Sequence, residues 1–228
     1  MSIGSLLSLY FRTKAYLFKE QLQVAFRFYT NFRFFLFDLL FFLFYLPFNP
    51  YRICRACAKK TEDEVYGETP LSSYASIAKE CGVSTSDVFF ELGAGRGRGA
   101  FWLSFFIGCK VVAIERVALF VRIGRILAHF FQQKNLCFSQ EDFAHTDLSK
   151  ASVIYLYGTC LGEKEILHLI HKFSRLMPKT QIVTISFSLL DYAKDSFILR
   201  KSFSLSFPWG KTKAFVQTPT CSQRGDEI

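Results

Sequence analysis

Residues Val88 to Gly99 read V-F-F-E-L-G-A-G-R-G-R-G, and the fold class turns on them. Val88, Phe89 and Phe90 form a short apolar run suited to a buried strand, which Glu91 closes with a carboxylate. Gly93, Gly95 and Gly97 follow as a tight turn, and Ala100 to Phe106 reads as the start of a packed helix. A parallel strand, a glycine turn and a helix N-terminus make the nucleotide-binding corner of an open α/β sheet. Glycine suits that corner because the backbone must reach positive φ and a ligand must approach with no Cβ in the way. Two ligand patterns compete. A dinucleotide turn needs G-x-G-x-x-G/A, so that backbone N–H groups and the helix dipole meet a pyrophosphate. Counted from Gly93, its third small residue falls on Arg98. Counted from Gly95, Ala100 fits, but the frame starts two residues late. The alternative, acidic-x-G-x-G-x-G, is filled without a gap by Glu91, Gly93, Gly95 and Gly97.

That second pattern resembles motif I of the seven-strand S-adenosylmethionine (SAM) methyltransferases. SAM carries a cationic amino acid end and no phosphate, so a carboxylate beside the turn makes electrostatic sense. A second apolar run, Lys110 to Glu115, also ends in a carboxylate. Glu115 is placed there to accept both ribose hydroxyls, as in nucleotide folds generally. The two runs and the helix between them form a βαβ unit of about 30 residues.

Further strands are expected at Asn135–Phe138, Ser152–Tyr157 and Gln181–Leu189, with helices over Leu71–Lys79, Arg116–Phe131 and Glu163–Leu176. Phe197–Phe207 and Lys213–Thr218 read as two strands joined through Pro208-Trp209-Gly210-Lys211. The expected architecture is α/β: a Rossmann-like seven-stranded sheet with a closing antiparallel hairpin, preceded by a helical hydrophobic arm. After the third strand, Asp142 and Phe143 are an acid and an aromatic that can take an adenine amino group and cover its ring. His168 and His171 have no third ligand nearby, and Cys54-x-x-Cys57 has no second pair, so no metal site is expected. The seven scattered cysteines suit a reducing compartment rather than a disulfide framework.

Charge divides the chain. Residues 1–60 hold nine Lys or Arg against Glu20 and Asp38, a net of +7, which leaves +2 of the overall +9 for residues 61–228. The basicity therefore belongs to the arm, and the sequence argues against a nucleic-acid-binding face on the domain. Twelve of the 28 phenylalanines lie in residues 1–50. The densest run, Phe34 to Phe48, is below the roughly 20 residues a helix needs to span a bilayer. Asp38 interrupts it, Pro47 ends it, and basic residues flank it on both sides. Two alternatives follow. Residues 26–48 are a wedge or re-entrant hairpin in the cytoplasmic leaflet, held to anionic lipid at about 1 kcal/mol per flanking Lys or Arg. Otherwise the run is an aromatic helix packed on the domain or on a partner. With a polar linker over Ala58 to Glu64, the expected division is an arm over 1–60 and a domain over 61–228 that folds without it. A SAM-using domain on a membrane is expected to face the cytoplasm.

V-Y-G-E-T-P, then S-T-S-D-V-F-F-E-L-G-A-G-R-G, I-E-R, E-D-F and S-V-I-Y-L-Y occur in one order between Val65 and Gln217. In this the chain resembles the non-SET protein lysine methyltransferases of the disruptor-of-telomeric-silencing type. It is also similar to the membrane-anchored mitochondrial lysine methyltransferases. The resemblance implies SAM as cofactor and a protein lysine as acceptor. It implies that Tyr66, Glu68 and Thr69 form the loop over the methionine end of SAM, and that Glu91 and Gly93 contact its amino acid moiety. Glu115 would hold the ribose, and Asp142 with Phe143 the adenine. Trp209 and Phe215 resemble the aromatic wall of a lysine channel. Tyr157-Gly158 and Arg98 depart from the histone-modifying branch, which has an asparagine pair and a glutamine there. Two further functions stay open: methylation of a small molecule or lipid at the membrane, and non-catalytic SAM binding by a membrane-tethered module.

Overall fold

The computed structural model describes residues 3–57, 67–158 and 161–220. The expected linker, the boundary at residue 60 and Tyr66 lie outside the described residues. Five short strands pair in parallel: β1 (Val88–Leu92), β2 (Lys110–Glu115), β3 (Leu136–Gln140), β4 (Val153–Leu156) and β5 (Gln181–Ile185). β6 (Phe197–Phe207) and β7 (Gly210–Pro219) close the sheet as a hairpin, with β7 antiparallel to β5. The order β3-β2-β1-β4-β5-β7-β6 is the Rossmann-like seven-stranded sheet with its closing hairpin that the sequence implied. β1 and β4 lie in the middle of the sheet and are apolar apart from Glu91, because both their faces are covered.

Most boundaries shift by one to four residues from expectation, and two of the shifts have a clear local cause. β5 stops at Ile185 rather than Leu189, because Ser188 caps a short 3₁₀ turn over Leu189–Asp191. β7 starts at Gly210 rather than Lys213. Phe207 pairs directly with Gly210, so the loop is only Pro208-Trp209, and a φ of 147° at Gly210 permits that early entry.

One face of the sheet is covered by α4 (Leu71–Glu80), α5 (Arg98–Phe106) and α6 (Ala118–Phe130), the other by α7 (Glu163–Phe173). The arm forms α1 (Ile3–Phe28), α2 (Phe32–Tyr45) and α3 (Pro50–Cys57). The Asn31 side chain caps α2 by accepting from the Phe34 amide at 3.1 Å. Phe34, Phe37, Asp38, Phe41 and Tyr45 then recur at helical spacing and form one buried stripe. That stripe lies on the domain: Phe37 stacks 4.2 Å from Phe101, Phe34 meets Phe106 at 5.0 Å, and Tyr45 meets Phe120 at 5.9 Å. α1 is tied down as well, with Glu20 accepting from the Ser72 amide and hydroxyl, and Tyr16 donating to the Ser206 carbonyl.

The arm packs on the domain, which bears on the expectation that residues 61–228 fold without it. Arm and domain side chains belong to one buried cluster. Asp38 is not an interruption in a lipid-facing run. It is fully buried and pairs with Arg98 of α5 at 2.6 and 2.7 Å. Packing on the domain thus accounts for one side of the aromatic run. No single helix among the described residues is long and apolar enough to cross a membrane, and α2 and α3 are bent by 57° at their junction.

Candidate active site

The glycine turn leaves the C-terminal end of β1 as the pattern requires. The Gly93 and Ala94 amides donate to the Ile114 carbonyl at 3.0 and 2.9 Å, which locks the turn onto β2. Gly97 occupies the N-cap of α5 at φ 79°, and a Cβ there would lie 2.5 Å from the Phe138 ring. Glu115 reaches back over the turn, accepting from the Gly95 amide at 2.7 Å and the Val117 amide at 2.8 Å. Burial raises its pKa against these two bonds. The Arg116 amide donates to it as well, and of the roughly four acceptor sites of a carboxylate one remains for a ribose hydroxyl.

Glu91 is buried on the same corner. The Tyr74 hydroxyl donates to its Oε1, while Oε2 has no hydrogen-bond partner among the described residues. Burial pushes the carboxyl up to about 8. The Tyr74 bond opposes this, while Glu115 and Glu68 add to it. A buried carboxylate with one orphaned oxygen calls for a cation, and the ammonium end of SAM supplies one. The residues present therefore fit the expected cofactor.

Residues 67–69 close over the turn. Thr69 shares a 2.5 Å hydrogen bond with Tyr155, and Glu68 forms a bidentate pair with Arg96 at 2.5 and 2.7 Å. The enclosed space between loop and turn is about 30 Å³. Phe143 stands beside the turn, its ring 3.9 Å from where a Gly93 Cβ would be. Asp142 is exposed and caps its own loop by accepting from the Ala144 amide at 3.0 Å. An aromatic stack borders the loop on the other side. Tyr157, Phe207 and Trp209 lie ring on ring, with centroids 5.4 and 5.3 Å apart, and Trp209 Nε1 donates to the Tyr157 hydroxyl at 3.0 Å. A Cβ on Gly67 would lie 3.1 Å from the Tyr157 ring.

Glu68, Thr69, Glu91, Gly93, Gly95, Gly97 and Tyr157 line one cavity, and Trp209 joins it through Tyr157. Phe215 is not brought there. Its neighbours Ala214 and Val216 face the cluster that holds Tyr155 and Phe207, so alternation turns Phe215 to the opposite face of β7. Phe207 takes the place in the stack expected of Phe215. The sequence carried a hint, since Phe207 borders the hairpin turn, but its register became legible only once Gly210 opened β7. Tyr74 and Tyr155 were missed because both read as core positions of a helix and a strand. Arg96 and Arg98 were missed because their acids lie 28 and 60 residues away.

Glu91 sets an expected pH dependence for ligand binding. Its surroundings are Tyr74, Tyr155, Glu115 and Glu68, so in the free protein the carboxyl keeps its proton until pH rises through about 8. An ammonium placed on it must expel that proton. Affinity for S-adenosylhomocysteine (SAH) is expected to rise between pH 6.5 and 8.5, with release of about one proton per ligand at pH 7. A folded-state pKa raised in this way also stabilises the free protein below the ordinary carboxylate range and is lost as pH rises through 8, so the free protein melts lower at pH 8.5 than at pH 5. Calorimetry in two buffers of different ionisation enthalpy measures the proton directly, and a pH-independent affinity without proton release would remove Glu91 from the contact.

The family model described as histone methylation protein DOT1 matches residues 57–189. A histone-lysine N-methyltransferase from Dictyostelium discoideum, H3 lysine-79 specific, is 25% identical over 142 residues. That match takes in 54% of this chain but spans only 7% of the relative's length. Among solved structures, an RNA methyltransferase from Salinibacter ruber in complex with SAH superposes with a TM-score of 0.57 at 24% identity, covering 70% of this chain and 97% of that one. TrmN from Thermus thermophilus superposes with a TM-score of 0.56 at 16% identity, covering 67% and 49%. These structural likenesses concern the fold.

Proposed function

The chain belongs to the family of histone methylation protein DOT1, and from that premise we propose that it transfers a methyl group from SAM to the side-chain amine of a lysine in a protein, working at a membrane surface. The observation that carries the reading is the apposition of Glu91, with its orphaned oxygen, to the Tyr157–Phe207–Trp209 stack across the 67–69 loop. When bound, SAM supplies a methyl group already activated on a sulfonium, so no strong general base is required of the protein. Glu91 would hold its ammonium, Glu115 its ribose and Asp142 with Phe143 its adenine. Tyr157 and Trp209 would wall the acceptor side. An aromatic wall strips water from an entering lysine, favours its neutral form and aligns its nitrogen. The proposal takes no histone substrate from the relative: the resemblance sets an asparagine pair where this chain has Tyr157-Gly158, and the arm is phenylalanine-rich rather than a polar lysine tail.

The membrane part of the proposal rests on the side of the arm turned away from the domain. Phe11, Phe18, Phe26 and Phe32 are each at least two-thirds exposed, and Leu39 and Leu43 continue that side of α2. Arg12, Lys14, Lys19, Arg27, Arg52 and Arg55 are exposed on α1 and α3 of the same arm. Exposed aromatics and exposed basic residues on one arm suit a helix lying in the headgroup region of an anionic leaflet. The catalytic face would then stand on the cytoplasmic side, where SAM is made.

One experiment tests both parts. The full chain is floated with phosphatidylcholine–phosphatidylserine vesicles, then given radiolabelled SAM and a membrane-protein extract, and label is counted in protein and in lipid. Flotation with label in protein lysine is expected. Trp209→Ala is expected to cost about a hundredfold in transfer while keeping SAH affinity. Protein that stays at the bottom of the gradient refutes the membrane surface. Label in lipid refutes the lysine acceptor, and SAH binding without label anywhere marks a binding module.

A further inference from the structure

α2 does more than fill space beside the cofactor corner. Its buried stripe grips two guanidinium groups that flank Gly97. On one side, the partly buried Arg98 forms a bidentate pair with the fully buried Asp38, whose Oδ2 also accepts from the Tyr29 hydroxyl at 2.6 Å. Burial would pull the Arg98 guanidinium down, and Asp38 more than reverses it. The Phe42 ring lies 5.0 Å from the same guanidinium. On the other side, Arg96 lies 5.1 Å from the rings of both Phe41 and Tyr45 while its edge holds Glu68. A planar guanidinium can stack and form a bidentate pair at once, which a lysine cannot.

Resting on the cofactor assignment above, we infer that Asp38, Phe41 and Tyr45 of α2 are positioning residues for the cofactor: through Arg98 and Arg96 they set the glycine turn and the Glu68 loop in binding geometry. Each end of the grip has its own route. Asp38 to Arg98 fixes the first turn of α5, and with it the direction of the Gly93–Gly97 amides. Phe41 and Tyr45 to Arg96 to Glu68 fix the loop that closes the 30 Å³ space over that turn. Arg96 is where α2 ties down that loop.

Tyr45 separates positioning from packing. Its hydroxyl is buried with no hydrogen-bond partner among the described residues, so the ring, not the oxygen, is what Arg96 uses. The test is SAH titration by calorimetry, with hydrogen exchange read at residues 67–69 and 93–97, on the full chain. Tyr45→Phe is expected to bind SAH as the native protein does. Tyr45→Leu is expected to bind about tenfold more weakly, with faster exchange at both segments. Asp38→Leu combined with Arg98→Met removes the buried pair without stranding a charge, and the same loss is expected. In the native protein, SAH is expected to slow exchange across residues 38–45 as well as at the turn, a readout that needs no variant. Native SAH binding without added protection at 38–45 overturns the inference, as does native affinity in a folded Tyr45→Leu or in the folded double variant. A native protein that fails to bind SAH refutes instead the cofactor assignment beneath it.

Discussion

Protein lacking residues 1–57 is expected to be expressed as an unfolded or insoluble chain that does not bind SAH. Phe34, Phe37 and Phe41 have no exposed surface, and their loss would bare the rings of Phe101, Phe106 and Phe131. Each buried phenylalanine contributes about 1.5–3 kcal/mol, and an Arg98 left without Asp38 costs about 3–5 kcal/mol more. Together these approach or exceed the whole stability of a domain, about 5–15 kcal/mol. Circular dichroism melts of the full chain and of residues 58–228 compare the two directly. A truncated protein that melts cooperatively and binds SAH would show that the arm is an appendage after all.

Gly97→Ala is expected to destabilise the protein by about 3–5 kcal/mol, as the sum of left-handed strain and a clash in a filled core. The backbone there has φ 79°, and the new methyl would stand 2.5 Å from two carbons of the Phe138 ring. The ring has nowhere to go. It is buried, lies 5.6 Å from Phe101, and would already crowd any Cβ on Gly124 at 2.7 Å. Gly82 is the matched control: φ is 63°, but nothing lies within 4 Å of its added methyl, so Gly82→Ala carries strain alone, about 1–2 kcal/mol. Urea midpoints of the two variants settle the comparison. Equal losses would mean that the Phe138 contact yields freely.

The parts of this molecule that were legible in sequence are those whose causes are local. Val88–Glu91, Lys110–Glu115 and the glycines between them state their own geometry through apolar runs and positive φ. The closing hairpin was readable because its turn residues lie between its strands. Phe34–Phe48 was ambiguous because composition reports that a helix is apolar all round without saying what covers each side. Asp38 looked like a flaw in that run because its partner comes 60 residues later. Arg98 looked like a failed third glycine for the same reason. Phe215 illustrates a different limit. A strand's register decides which face a side chain takes, and moving the start of β7 from Lys213 to Gly210 changed which aromatics meet at the turn.

The shared core also imposes an order in time. α2 leaves the ribosome before the surface that receives it, which includes Phe101, Phe120 and Phe131, about 60–90 residues further along. At about 5–20 residues per second, its aromatic stripe waits roughly 3–18 s for its partners. During that interval Asp38 has no Arg98, and the phenylalanines of the future core face the same surroundings as those on the outer side of the arm. Folding thus begins with its most aggregation-prone segment exposed and ends with the pairing of residues far apart in the chain, the arrangement that slows folding most. Until then the apolar stripe of α2 is without the side chains that bury it in the finished protein.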